Sequence, residues 1–221
     1  DQTIAPGESR TYTYYAHPAN KETTSLVWDG GNIVLNPRNG LYGAIVVGPK
    51  GSQYRDPVTG ADVSEKNTWR ADVIVDTSLS ENAGKRNYRD VALFFQDEDN
   101  IIGTAFMPYV QNVAGLTSVN YRAEPYKFRE EQGCSLGKIF QPCAVDKPED
   151  PITPLIEAHA GDAIRIHVIG ANSEQNGMYG VEGHEWPIEP YMPGADMISV
   201  VEYAGSEVLH VFLRGGAGGP Y

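Results

Sequence analysis

Two stretches near the end of the chain decide its fold: GDAIRIHVIG at residues 161–170 and SEVLHVFLRG at residues 206–215. In the first stretch, Arg165 and His167 occupy one face of an extended chain, and three branched aliphatic residues occupy the other. The second stretch alternates in the same way, with His210 on the face opposite its Leu-Val-Leu series. Alternation with a period of two is the pattern of a β-strand. Both stretches are therefore predicted to be strands of a β-sandwich.

The rest of the chain favours the same all-β class. Its apolar or alternating runs are short, they are separated by turn residues such as NPRNG at 36–40, and helical periodicity does not persist beyond a turn or two. Many short strands with frequent Gly and Pro turns are typical of Greek-key β-sandwiches. The further predicted strands and apolar runs lie at residues 3–16, 25–29, 33–35, 41–49, 69–76, 88–99 and 115–122.

Composition and charge exclude several classes of partner. The 221 residues carry a formal net charge of -12, which disfavours nucleic acid because that ligand requires a basic face. No apolar run approaches the roughly 20 residues that a membrane-spanning helix needs. An acidic surface attracts cations, although it also serves solubility alone.

The two cysteines, Cys134 and Cys143, lie in the local sequence GCSLGKIFQPC. Their short spacing, with Gly and Pro nearby, favours a disulfide that closes a small loop. A metal-binding pair and free thiols are the alternatives, but there is no CxxC motif or neighbouring histidine to support a metal site. A disulfide indicates an oxidising compartment, so the protein is expected to be extracytoplasmic: secreted, periplasmic or on the cell surface.

Several motifs, taken in order, resemble the multicopper oxidase family, in its larger bacterial and ceruloplasmin-like members. PGESRTYTYYA at 6–16 and GLYGAIVVGPKG at 40–51 resemble the second half of a cupredoxin domain, and residues 161–221 resemble the first half of the next one. YRDVALFFQDED at 88–99 and VNYRAEP at 119–125 also resemble family segments. Together these motifs cover about two thirds of the chain.

The resemblance implies two cupredoxin-like Greek-key units, each incomplete within this chain. Residues 1–50 would be the C-terminal half of one domain, 51–67 a linker, and 68–221 the N-terminal portion of a second domain, with a cysteine-containing loop near 128–154. The chain is then expected to be a segment that runs from mid-domain to mid-domain. Its partners would be the segments or subunits that complete those domains in an oligomer or multi-chain assembly.

The expected copper ligands of the family are mostly missing from this sequence. SLVWDGGNIVLNPRNGLYG at 25–43 contains no His, Cys or Met where the family carries ligands. In MYGVEGHEWP at 178–187, His184 alone stands at a matching position, with Glu182 where a preceding histidine would be. The resemblance makes His184 a candidate copper ligand and Glu182 a weaker one. The alternative is a structural histidine that is hydrogen-bonded beneath Trp186.

Other candidate ligands come from the predicted strands. His167 and His210 could face each other across a sheet and, if His184 lay near them, form a copper or zinc site; the alternative is a polar sheet face or a domain interface. Asp97 and Asp99, with Glu98 between them, offer oxygen ligands that hard cations prefer, whereas such acidic runs are also common in solvated loops.

Two functions follow from these observations. In the first, the chain is part of a secreted multicopper-oxidase-like protein that oxidises a metal ion or a phenol and passes electrons to oxygen, with this segment mainly architectural. In the second, it is a copper-free, cupredoxin-like structural or interaction module of an extracellular or cell-surface assembly. Whether the protein is an enzyme depends on whether copper sites exist in the full assembly.

Overall fold

The computed structural model describes residues 4–17, 19, 22–33, 35–38, 40–97, 117–120, 156–172 and 176–215. Their regular secondary structure is almost exclusively β-strand, which confirms the all-β prediction. One short helix, α1 (Leu35–Arg38), and one 3-10 turn (Ser80–Asn82) interrupt them. The strands are β1 (Thr23–Trp28), β2 (Tyr42–Val47), β3 (Gln53–Arg55), β4 (Arg70–Ile74), β5 (Tyr88–Asp97), β6 (Thr117–Val119), β7 (Ala163–Asn172), β8 (Gly177–Gly180), β9 (Trp186–Pro187), β10 (Met197–Ile198), β11 (Val200–Tyr203) and β12 (Val208–Arg214).

The largest sheet has six strands, in the order β12-β7-β5-β4-β3, with β6 paired to the end of β5. Its central pair, β5 and β7, is parallel, with Val91 beside Ile166, and its other pairs are antiparallel. Strand β7 is buried along nearly its whole length because both of its faces are covered. That explains why apolar residues dominate β7 even though it also carries Arg165 and His167.

One face of this main sheet forms the hydrophobic core. Aliphatic side chains of β5, β7 and β12 pack there against Trp186 and Tyr203, which are 1% and 4% exposed. The paired strands β8–β11 and β9–β10 supply this covering layer. Burial of these apolar surfaces, at roughly 25 cal/mol per Å², is the main term that stabilises the two layers.

The opposite face of the main sheet is covered by the antiparallel hairpin β1–β2. Tyr42 of the hairpin stacks on Phe94, with ring centroids 5.7 Å apart, and its hydroxyl donates a 2.8 Å hydrogen bond to Gln96 Oε1. The main sheet thus lies between an apolar layer on one side and a hairpin on the other. Asp90 of β5 and Arg165 of β7 lie on the hairpin-covered face.

In the first third of the chain, the structure differs from the predicted elements in two places. Residues 4–17 form no strand: Tyr12, Tyr14 and Tyr15 are 52%, 63% and 80% exposed. Alternation is not sufficient for a strand, which also needs a neighbouring strand for its backbone hydrogen bonds. The predicted linker at 51–67 instead contributes β3 to the main sheet, followed by a turn closed by a bridge between Arg55 and Asp62. The division of the chain into two domains stays a prediction.

Within the described part of the chain, none of the helices has the length and apolar character required to cross a bilayer.

Candidate functional site

A cluster of charged side chains lies on the hairpin-covered face of the main sheet. Asp90 of β5 stands beside Arg165 in the parallel register of β5 and β7. Arg165 donates two hydrogen bonds to the Asp90 carboxylate, from Nε to Oδ1 at 2.9 Å and from Nη2 to Oδ2 at 2.7 Å. The side chains of Arg165 and Asp90 are only 1% and 8% exposed. This is a buried, two-pronged ion pair, the geometry in which arginine binds carboxylate best.

His167 joins the same cluster and uses both of its ring nitrogens there. Nε2 lies 2.6 Å from Asp90 Oδ1, and Nδ1 lies 2.7 Å from the Thr24 hydroxyl of β1. A neutral ring that donates from Nε2 to the carboxylate accepts the Thr24 hydroxyl hydrogen at Nδ1. His167 therefore connects the central strand of the sheet to the hairpin above it.

The cluster extends outward through Glu22, just before β1. Arg165 Nη1 donates to Glu22 Oε2 at 3.1 Å, and Glu22 Oε1 lies 2.8 Å from Lys85 Nζ. The Arg165 guanidinium also lies over the Tyr88 ring, 4.6 Å from its centroid. The alternating charges form one network from the buried sheet to the surface, and two of its contacts hold the N-terminal hairpin.

Burial and pairing shift the proton affinities of this cluster. Burial alone would raise the pKa of Asp90, but the hydrogen bonds from Arg165 and His167 outweigh it and lower the pKa to about 2. Burial opposes the charge on Arg165, yet the Asp90 carboxylate raises the pKa of the guanidinium overall. Both groups are therefore charged at all ordinary pH values. Burial also raises the pKa of the Tyr88 hydroxyl, so Tyr88 remains protonated.

His210 lies opposite His167 in the antiparallel register of β12 and β7, as the sequence suggested. Their rings meet edge to face with centroids 5.0 Å apart. His210 Nε2 is buried and has no hydrogen-bond partner among the described residues. Burial, followed by the nearby His167 and Arg165, lowers the pKa of His210 to about 4. A neutral imidazole is thus favoured next to the charged cluster.

His184 lies apart from that histidine pair, in the loop between β8 and β9. Its Nδ1 donates to the backbone carbonyl of Glu182 at 3.0 Å, so Glu182 meets the histidine through its main chain. The structure brings His167 and His210 together but does not place His184 with them in a metal-binding group. Asp97 ends β5; its side chain, Asp99, Cys134 and Cys143 all lie outside the described residues, so the acidic cation site and the disulfide stay predictions.

The described residues do not fit a copper site of the kind that the family resemblance implies. Copper prefers several imidazole, thiolate or thioether ligands at one point. His167 has both nitrogens engaged in hydrogen bonds, and no group of three or more His, Cys, Asp or Glu side chains in the described ranges is placed to hold a metal ion.

The cluster also contains a carboxylate, an imidazole and a hydroxyl in series: Asp90, His167 and Thr24. Hydrolases use such a series to activate a nucleophile. Here Thr24 is only 8% exposed and does not line the adjoining pocket. The hydroxyl is therefore out of a substrate's reach, and the series is suited to fixing the hairpin on the sheet.

Next to the cluster is a pocket of about 770 Å³. Arg165 and Tyr88 line it from the cluster side, and Tyr191 and Phe212 line it with rings 5.5 Å apart. His184 also contributes to the lining. The pocket thus joins the charged network to an aromatic surface near the start of β7 and the end of β12.

Sequence reasoning missed Asp90, Thr24 and Glu22 as parts of the site. The detectable signal was Asp90 within the apolar run YRDVALFF, since a carboxylate in a buried strand requires a partner. Arg165, a cation in another buried strand, was the matching signal.

No family model matches the chain, and no curated protein matches it.

Proposed function

We propose that this chain is an architectural part of an extracytoplasmic, multicopper-oxidase-like protein. The whole protein would oxidise a metal ion or a phenolic substrate and transfer electrons to oxygen. Its copper ligands would be residues other than those described here, and other segments or subunits would complete the cupredoxin-like units. The motifs at 40–51 and 161–221, together with the all-β fold, support the family assignment.

One observation carries the architectural role: within the described part of the chain, the buried charged cluster connects the main sheet to the hairpin that covers it. Asp90 accepts three hydrogen bonds, two from Arg165 and one from His167. His167 and Arg165 then reach across to Thr24 and Glu22 near the hairpin. A histidine fixed by a carboxylate and a hydroxyl is a connector, because both of its ring nitrogens are already engaged.

The second function, a copper-free interaction module, is favoured by a different feature. Residues 178–200 expose several large apolar side chains: Met178, Ile188, Met192 and Met197 are 55% to 68% exposed. Methionine is flexible and polarizable, and exposed Met side chains are typical of adaptable binding surfaces. A protein that used this surface would need no metal.

Metal analysis with an absorption spectrum on the full-length protein separates the two functions. We expect several copper atoms per molecule and the intense visible band of a cysteine–copper bond. We also expect His184→Ala and the control His159→Ala, at a 96% exposed side chain, to retain all of that copper. Loss of one copper in folded His184→Ala alone would contradict the architectural role. A copper-free native protein would favour the interaction module.

A further inference from the structure

The pocket of about 770 Å³ has aromatic and apolar walls. Tyr88, Tyr191 and Phe212 supply three rings, and Ile164 and Met197 are among the aliphatic side chains beside them. Pockets for small organic molecules commonly span about 300–1,000 Å³ and have mainly apolar linings with a few polar groups. The size and the rings suit a ligand of one or two fused aromatic rings.

The charged groups of the lining are unevenly paired. Lys85 is paired with Glu22 at 2.8 Å, and Arg165 with Asp90 at 2.7 Å. The side chains of Arg86 and Arg214, which also line the pocket, make no hydrogen bond or ion pair with any described residue. Arg86 and Arg214 are both exposed to solvent.

One acidic side chain without a described partner lines the pocket together with these two arginines. Glu185 lines the same pocket, so the unpaired groups are two cations and one anion, which leaves a single positive charge. That local excess is notable in a chain whose net charge is -12. Arginine recognises a carboxylate through paired N–H donors, and a ligand with one negative charge would neutralise the excess.

From these walls and charges, we infer that the pocket binds a small aromatic carboxylate. The rings of Tyr191 and Phe212 contact the aromatic body of the ligand, and Arg86 and Arg214 attract its carboxylate at the pocket rim. The neighbouring network of Asp90, Arg165 and Glu22 holds the inner wall in place. This site involves no metal and does not rest on the proposed oxidase function.

Calorimetric titration of the full-length protein with 2-naphthoate and its neutral analogue 2-naphthamide tests the inference. The two probes share a ring system and differ in charge. We expect 2-naphthoate to bind about tenfold more tightly, a difference that shrinks at high salt because the arginines are exposed. Equal affinity for the two probes, or no binding of either, would overturn the inference.

Variants locate the binding site. Arg86→Gln and Arg214→Gln should each weaken 2-naphthoate binding about three- to tenfold and leave 2-naphthamide unchanged. Tyr191→Ala, at a 59% exposed side chain, should weaken both probes because it removes ring contact. Lys66→Gln, an exposed cation outside the pocket, is the matched control and should change neither. If neither arginine variant affects 2-naphthoate, the assignment of the pocket is wrong.

Discussion

Replacing Asp90 with asparagine should destabilise the protein severely while barely changing its shape. The variant loses the negative charge that two N–H groups of Arg165 and one of His167 now contact. The asparagine amide has an NH₂ group in place of one carboxylate oxygen. That NH₂ donor then faces an N–H donor of Arg165 or His167. Among the described residues, Arg165, whose side chain is 1% exposed, then retains Glu22 alone as an anionic partner.

The magnitude follows from two independent arguments. The pKa of Asp90 is lowered from 3.8 to about 2, and this difference corresponds to about 2–3 kcal/mol of folding free energy at neutral pH. Breaking one side of a buried ion pair typically costs about 3–5 kcal/mol. We therefore expect Asp90→Asn to lose about 3 kcal/mol of unfolding free energy.

A matched control is present on the neighbouring strands. Arg89 donates two hydrogen bonds to the Asp72 carboxylate in the same bidentate geometry, from Nε to Oδ1 at 2.7 Å and from Nη2 to Oδ2 at 3.0 Å. The Asp72 side chain, however, is 34% exposed. Asp72→Asn should therefore cost less than about 1 kcal/mol. Urea unfolding followed by tryptophan fluorescence, to which the buried Trp186 contributes, measures both variants. Equal losses would refute the argument that burial makes the Asp90 pair costly.

The pH dependence gives a second check on the same pair. The pKa of Asp90 is lower in the folded protein than in the unfolded chain. The ion pair of Asp90 and Arg165 therefore stabilises the folded state fully above about pH 4, and this stabilisation is lost as the pH falls toward 2. The difference in stability between the wild type and Asp90→Asn should therefore narrow below pH 4. A difference that stays constant down to pH 2 would mean that the carboxylate charge is not what stabilises the fold.

Three further predictions concern single positions. Tyr88→Phe should leave the unfolding free energy unchanged within about 0.5 kcal/mol or raise it, because the buried Tyr88 hydroxyl has no hydrogen-bond partner among the described residues; a loss above 1 kcal/mol in urea unfolding would indicate a partner. Gly170→Ala should cost about 1–3 kcal/mol, since its methyl group would overlap the Ala204 carbonyl oxygen, whereas Gly43→Ala, in open space, should cost little by the same assay. The contribution of His210 to the free energy of unfolding should be complete above about pH 6.5 and should be lost as the pH falls toward 4. The reason is that folding lowers the pKa of His210 to about 4, so the unfolded chain binds the proton at a higher pH than the folded one. In thermal melts, His210→Gln should lack this part of the pH-dependent loss of stability.

Period-two alternation predicted the strands that lie inside the fold. It identified β7 and β12, whose apolar residues on one face are buried, whereas a mixed apolar run predicted β5. The same rule failed at residues 4–17, whose alternating tyrosines are exposed. An alternating pattern indicates which side chains share a face of an extended segment. Whether that segment becomes a strand depends on whether the rest of the fold places another strand beside it.

The candidate site was partly predictable for the same reason. The alternation places Arg165 and His167 on one face of a strand and allows His210 to face His167; the register of β7 and β12 brings the two histidines opposite each other. The partner carboxylate, Asp90, could not be identified, because β5 and β7 pair in parallel across a long stretch of sequence. Parallel neighbours leave no local turn signal from which their register can be read.

The bonds that fasten the β1–β2 hairpin have a consequence for the order of folding. Thr24 and Glu22 bond to His167 and Arg165, each across a sequence separation of 143 residues. During synthesis the hairpin therefore leaves the ribosome long before the strand that holds it exists. Such distant contacts slow folding, because the intervening chain must be ordered first. Until β7 has been synthesised, strands β1 and β2 cannot pack on the main sheet. The side of the hairpin that later faces the sheet is then exposed and can contact other chains.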